Sequence, residues 1–148
     1  MSKVLIIIGS KSDMEYAQKC DEQLEKLGIE GVIKIGSAHR HPEKVKELAS
    51  QAKRNGFDVV IAMAGLAAAL PGVVASYTLL PVIGVPLPAA LNGLDSLFSI
   101  AQMPAGIPVA AMAIGSHGAK NAAVMAARII ALKDKEINDK LTKHRDSL

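Results

Sequence analysis

Asp58-Val59-Val60-Ile61-Ala62 decides the fold. After its first residue the run is apolar and unbroken, and three of its places hold β-branched side chains. Such a strand has no polar face to turn to water. It is buried on both sides, as in a parallel sheet covered by helices above and below. Upstream, Gly56 closes a helix that begins at Pro42 and turns Val45, Leu48, Ala49 and Ala52 to one side. Before that helix, Val32-Ile33-Lys34-Ile35 reads as the second strand. Ser12-Asp13-Met14-Glu15 has the pattern of a capping box and opens the first helix, which Gly28 stops after Leu27. Lys3 to Ile8 is the first strand.

Downstream the alternation continues. Leu66 to Ser76 reads as a short helix, apolar all round and therefore enclosed. Val82 to Val85 is the fourth strand, and the proline-rich Pro86 to Asn92 is irregular. Leu94 to Ala101 is a short helix, Val109 to Ile114 the fifth strand, and Gly118 to Leu132 an alanine-rich helix. The last stretch, Asp134 to Arg145, is a charged helix with only Ile137 and Leu141 to bury, which points to packing on a neighbouring subunit. These elements predict one α/β domain over residues 1–148. Its form is a flavodoxin-like, three-layer α/β/α sandwich with a central five-stranded parallel sheet and a C-terminal helix.

Half of the 148 residues are apolar, yet only two Tyr and two Phe are aromatic and there is no Trp. A core of Ala, Val, Ile and Leu lets helices and strands approach closely. A mean hydropathy of +0.27 is high for a monomer of this size and implies apolar surface set aside for subunit contacts. The net charge of +3 is mild, and the lysine clusters fall at helical spacing on solvated faces. Without aromatic platforms the chain is not expected to bind nucleic acid. Prolines and glycines interrupt the long apolar stretch from Val59 to Ala90, so no membrane span is expected. Met1-Ser2-Lys3 runs straight into a strand without a signal-peptide layout, so the cytoplasm is the expected location. Cys20, the only cysteine, lies on the apolar side of the first helix, and no His, Cys or Asp cluster has metal-ligand spacing.

Three crests follow strands and fall on one edge of the predicted sheet, at the strands' carboxyl ends, where such folds bind ligands. The first, Gly9-Ser10-Lys11-Ser12-Asp13, offers hydroxyls and free N–H groups for an anion, with Asp13 suited to sugar hydroxyls. The second, Ser37-Ala38-His39-Arg40, sets an imidazole beside a guanidinium. Arg40 can grip a phosphate with two parallel hydrogen bonds. An imidazole readily gains and loses its proton between pH 5 and 8, which suits His39 to acid/base work unless Asp13 or Glu43 locks it. His41 is either a weak helix cap or a reserve. The third, from Ala64 and Gly65 through Leu66 to Ala69, has no chemistry of its own; it offers a close, water-repelling wall. Ser96, Ser99 and Gln102 near Asp95 are candidates for hydrogen bonds to a heterocycle, while His117 and His144 lie far along the chain. The residues alone thus describe a site for a phosphorylated, sugar-bearing ligand with one acid/base histidine.

The crests, taken with Leu70-Pro71-Gly72, Pro81-Val82-Ile83-Gly84-Val85-Pro86, Leu91-Asn92-Gly93-Leu94-Asp95-Ser96-Leu97, Gln102-Met103-Pro104 and Gly106-Ile107-Pro108-Val109, resemble the N5-carboxyaminoimidazole ribonucleotide mutases of purine biosynthesis. The match runs in order over nearly the whole chain. The resemblance implies movement of a carboxylate from an exocyclic nitrogen to C4 of an imidazole ribonucleotide, with carbon dioxide as intermediate and no cofactor or metal. It implies His39 as the catalytic acid/base, Ser10, Asp13 and Arg40 as ribotide ligands, and a homo-octamer with its sites at subunit contacts. With these go Ser12, Ser37, Ala64, Gly65, Leu66 and Ala69 as substrate-binding positions. Two crests depart from the family pattern, at three positions. Leu66 and Ala69 stand where it has a glycine and a histidine, and His41 stands where it has threonine. These departures keep two alternatives open, a direct aminoimidazole ribonucleotide carboxylase using carbon dioxide and a non-catalytic ribotide-binding sensor. A flavin-binding module is disfavoured by the lack of aromatics.

Overall fold

The computed structural model describes residues 1–148. Strand β1 (Lys3–Ile8) pairs with β2 (Glu30–Ile35) on one side and β3 (Val59–Ala64) on the other. Strands β4 (Val82–Pro86) and β5 (Ala110–Ala111) complete an all-parallel sheet of order β2-β1-β3-β4-β5. The helices are α1 (Met14–Lys26), α2 (Pro42–Gln51), α3 (Leu70–Tyr77), α4 (Leu94–Ala101), α5 (Ser116–Ala131) and α6 (Lys135–Asp146).

β3 is buried along its whole length, and its side chains feed two separate cores. Val59, Ile61 and Met63 point to the face covered by α1 and α5. Val60, Ala62 and Ala64 point to the face covered by α2, α3 and α4. This is the strict alternation of a strand with apolar neighbours on both sides. Five alanines of α5 (Ala119, Ala122, Ala123, Ala126 and Ala127) are buried against the first face, and Ala131 at its end is half-buried. On the other face α4 lies close over β4 because residue 84 is glycine: a Cβ there would come within 2.5 Å of Ile100 Cγ2 and 2.9 Å of Val109 Cγ1.

Several local expectations are corrected. The Ser12 capping box does not form. Ser10 instead caps a 3-10 turn over Lys11–Asp13, and Asp13, at the start of α1, makes no side-chain cap bond. Residues 66–69 are not helical, so the third helix begins at Leu70; nor is it enclosed, since Ser76 and Tyr77 are exposed. The fifth strand shrinks to Ala110–Ala111. It is an edge strand with a single partner, β4, and beyond it only isolated bonds continue, Met112 N–H to the Gly84 carbonyl and Gly115 N–H to the Pro86 carbonyl, both 2.9 Å. Helix α6 is also anchored within its own chain. The Asp134 carboxylate caps it by accepting from Ile137 N–H at 3.2 Å, and Ile137 is buried in the α1–α5 core of its own chain. The connection from Leu87 to Gly93 is irregular, as its prolines require, and it closes with three consecutive left-handed residues, Leu91, Asn92 and Gly93. No helix is long and apolar enough to cross a membrane.

Candidate active site

Strand register brings the three crests to one level. Ile8 faces Ile35 across one ladder and Met63 across the other. Two further bonds hold the chain just past the strand ends: Gly9 N–H to the Met63 carbonyl (3.3 Å) and Gly36 N–H to the Ile8 carbonyl (2.9 Å). The chain leaves β1 toward one face of the sheet, into α1, and leaves β2 and β3 toward the other, into α2 and α3. Where neighbouring strands send their helices to opposite faces, a crevice opens at their carboxyl ends. Here it is a cavity of about 480 Å³ lined by all three crests.

In the first crest Ser10 is extended (φ −153°, ψ 154°) and its Oγ accepts from Ser12 N–H at 3.2 Å. The Ser10 and Ser12 hydroxyls lie 2.8 Å apart. Asp13, free of any capping duty, is half-buried in the cavity wall. Burial pushes its carboxyl above the usual range, and a backbone hydrogen bond from Ser10 pulls it partly back.

The second crest is a hydrogen-bonded turn. Ser37 Oγ accepts from Arg40 N–H at 3.1 Å, and the Ser37 carbonyl accepts from His41 N–H at 2.9 Å. The turn lifts His39 and Arg40 to the rim, both exposed and both lining the cavity. Neither Asp13 nor Glu43 locks His39; both ion pairs in the chain lie on α6. His41 holds the N-cap position of α2 without a side-chain cap bond and does not line the cavity.

The third crest is built by close approach. A Cβ on Gly65 would meet the Leu87 carbonyl oxygen at 3.3 Å, so the backbone passes tightly over the end of β4. Leu66 follows with φ +57°, a left-handed backbone that costs a non-glycine residue about 1–2 kcal/mol. Its carbonyl accepts from Ala68 N–H at 2.9 Å, closing the turn.

All ten residues expected at the site from the sequence therefore line one cavity: Ser10, Ser12 and Asp13, then Ser37, His39 and Arg40, then Ala64, Gly65, Leu66 and Ala69. Ser96, Ser99 and Gln102 do not. Ser96 is fully buried and its hydroxyl serves the carbonyls of Leu87 (3.0 Å) and Gly93 (2.9 Å), while Ser99 bonds back to the Asp95 carbonyl (2.9 Å). His117 and His144 are also outside. Ala89 lines the cavity from the connection after β4 and was not foreseen. A lone alanine in a proline-rich loop gives no signal, although any loop leaving the carboxyl end of an inner strand is a candidate.

The AIR carboxylase family model matches residues 3–148. The chain is 53% identical to the N5-carboxyaminoimidazole ribonucleotide mutase of Saccharolobus solfataricus, over 100% of this chain and 93% of that one. It is 50% identical to the enzyme of the same name from Escherichia coli K12, over 97% of this chain and 86% of the other. Among solved structures, Treponema denticola PurE matches with a TM-score of 0.88 at 36% identity, over 99% of this chain and 91% of that one. A family model over nearly the whole chain, relatives at half identity and a matching fold leave one assignment: the chain belongs to the AIR carboxylase family.

Proposed function

We propose that the chain is an N5-carboxyaminoimidazole ribonucleotide mutase of purine (IMP) biosynthesis, an isomerase built as one catalytic domain over residues 1–148. The observation that carries this reading is the meeting of His39 and Arg40 with the Ser10–Asp13 crest and the alanine wall in a single cavity. The curated relatives named above bear that enzyme's name at about half identity across the chain.

Arg40 and the hydroxyl-bearing first crest hold the phosphate, and Asp13 accepts from ribose hydroxyls. His39, protonated, gives its proton to the exocyclic nitrogen as the N–C bond to the carboxylate breaks, leaving an amine and carbon dioxide. C4 of the ring, an enamine carbon, attacks the carbon dioxide and forms the new C–C bond. His39 then takes the C4 proton and the ring regains aromaticity. The proton lent is the proton recovered, so the imidazole ends each cycle as it began. The work is done by positioning, one reversible acid/base and exclusion of water.

A homo-octamer is part of this reading. Leu94 and Phe98, one turn apart on α4, are 50% and 59% exposed, and Leu79 is fully exposed, an apolar surface suited to a second copy. The cytoplasm, where a purine-pathway enzyme meets its substrate, is the proposed location.

The direct carboxylase is the second reading, favoured by Leu66 and Ala69, the third-crest positions where the family pattern differs. Purified protein is given either the N-carboxylated ribotide, or aminoimidazole ribonucleotide with bicarbonate and no ATP. Fast conversion of the first establishes the mutase. Fast conversion of only the second establishes the carboxylase, and binding without conversion of either establishes a ribotide sensor.

A further inference from the structure

We propose that Asn92 is a latent deamidation site, held shut by the left-handed turn in which it lies. The site is independent of the proposed activity. Its chemistry starts from the sequence. In Asn92-Gly93 the residue after the asparagine has no side chain to shield its own backbone nitrogen. That nitrogen attacks the carbonyl carbon of the Asn92 side chain and gives up its proton, and the side-chain amide nitrogen leaves as ammonia. The product is a five-membered cyclic imide. Water then opens the ring at either carbonyl. One opening yields aspartate; the other yields isoaspartate, whose backbone is longer by one methylene. Asn92 is exposed, so water and base reach it.

The fold opposes the first step. Leu91, Asn92 and Gly93 have φ +48°, +56° and +88°. Gly93 N–H donates to the Ala90 carbonyl and Leu94 N–H to the Leu91 carbonyl, both at 3.1 Å. These are two overlapping mirror-image turns, with positive φ at both central residues of each. The attacking nitrogen is thus the donor that closes the first turn. Imide closure requires the Asn92 Cα–C bond to rotate out of its left-handed setting, which breaks that hydrogen bond and swings Gly93. Gly93 has no room to swing. It is buried, and a Cβ on it would lie 2.5 Å from Ile114 Cγ2 and 3.4 Å from Pro88 Cα. Its carbonyl accepts from Ser96 Oγ and from Leu97 N–H, both at 2.9 Å. The same Ser96 hydroxyl reaches the Leu87 carbonyl, so it ties together the two ends of the connection. An isoaspartate at residue 92 would lengthen a loop whose Ala89 lines the cavity.

The test incubates the native full-length protein in warm, mildly alkaline buffer, beside the same chain unfolded in urea. Peptide mapping by mass spectrometry reads the fraction of the Asn92 peptide that carries the mass gain of deamidation. The native protein is expected to react at least about tenfold more slowly than the unfolded chain, since reaction waits for local opening. Asn92→Gln, whose longer side chain closes such a ring far less readily, should remove the signal from the unfolded chain and so assign it to this residue. Ser96→Ala unties the loop and is expected to react several-fold faster than wild type in the native state, with an unchanged size-exclusion profile. Equal rates for native and unfolded wild type overturn the proposal. So does a Ser96→Ala protein that keeps its assembly and reacts no faster than wild type. Acceleration seen only together with dissociation also overturns it, because the shield is then a subunit contact and not the turn.

Discussion

The backbone N–H of Arg40 donates to Ser37 Oγ across 3.1 Å, so the first residue of the second crest fixes the path of the chain into its guanidinium-bearing last one. Ser37→Ala removes that bond from an exposed turn. Stability is expected to fall by about 0.5–1.5 kcal/mol in a denaturant titration. KM for the ribotide should rise several-fold with a smaller change in kcat, because the phosphate anchor loosens while the imidazole survives. An unchanged KM would detach Arg40 from substrate binding.

His39→Asn keeps a polar side chain of similar reach and removes the proton carrier. Turnover is expected to fall by about 10²–10⁴. Ribotide affinity, read by calorimetry, should stay within about tenfold, because the imidazole acts mainly in the transition state. Near-wild-type turnover would move the acid/base role to another group.

Asp13 carries a pH signature. Its folded-state carboxyl titrates above the ordinary value of 3.8 because burial disfavours the charged form. Between the unfolded and folded values the native state holds more protons than the unfolded chain. The contribution of Asp13 to stability therefore falls as pH rises from about 3.8 upward, and levels off once both states are ionised. Thermal melts of the ligand-free protein across this range should show that slope, to which Asp21, also raised by burial, adds with the same sign, and Asp13→Asn should make it shallower. The same variant should weaken ribotide binding, since the carboxylate that accepts ribose hydroxyls is gone. A variant with the wild-type slope assigns the titration elsewhere.

Ser96 is expected to matter for folding and not for chemistry. Its single hydroxyl proton is shared between the carbonyls of Leu87 and Gly93 in a fully buried setting. Ser96→Ala takes the hydroxyl donor from the buried Leu87 carbonyl, while the Gly93 carbonyl still accepts from Leu97 N–H at 2.9 Å, at a cost of about 1–3 kcal/mol. A lower melting temperature with kcat intact would fit this; the reverse pattern would restore Ser96 to the site.

Cys20 should be inert. Burial, aided by the neighbouring Asp21 charge, pushes its thiol up to about 12, so almost no thiolate exists at neutral pH. Alkylating reagents should leave the native protein unlabelled and modify it once after denaturation, as intact mass reports. Fast native labelling would reveal opening of α1 from the sheet.

Legibility followed how much of the pattern was carried by the residues themselves. β1 and β3 were readable because unbroken apolar runs leave no alternative to two-sided burial, and α2 because Pro42, its one-sided apolar spacing and Gly56 agree. The Ser10–Ser12 exchange of capping roles was not readable, since both serines have the same chemistry and only the extended backbone of Ser10 decides between them. Leu66 to Ala69 reads as helix because leucine and alanine are strong helix formers. The left-handed turn at Leu66 is imposed by the passage of Gly65 over Leu87, a contact between distant parts of the chain. Val109 to Ile114 has the composition of a strand, but an edge position offers it only one ladder. The site was more legible than the strand ends, because three crests on parallel strands must share one edge whatever their detailed turns.

Apart from Ala64, every cleft residue lies beyond the last rung of its own strand: pairing stops at Ile8, Ile35 and Ala64. An exchange at the rim therefore does not slide one strand against another, and outside Ala64, Ala68 and Leu70, which belong to the core on the α2–α4 face, it leaves the packing beneath alone. Selection can rewrite the wall of this cleft one position at a time without risking the folded frame, which makes the architecture receptive to drift in substrate preference among descendants that keep an identical skeleton.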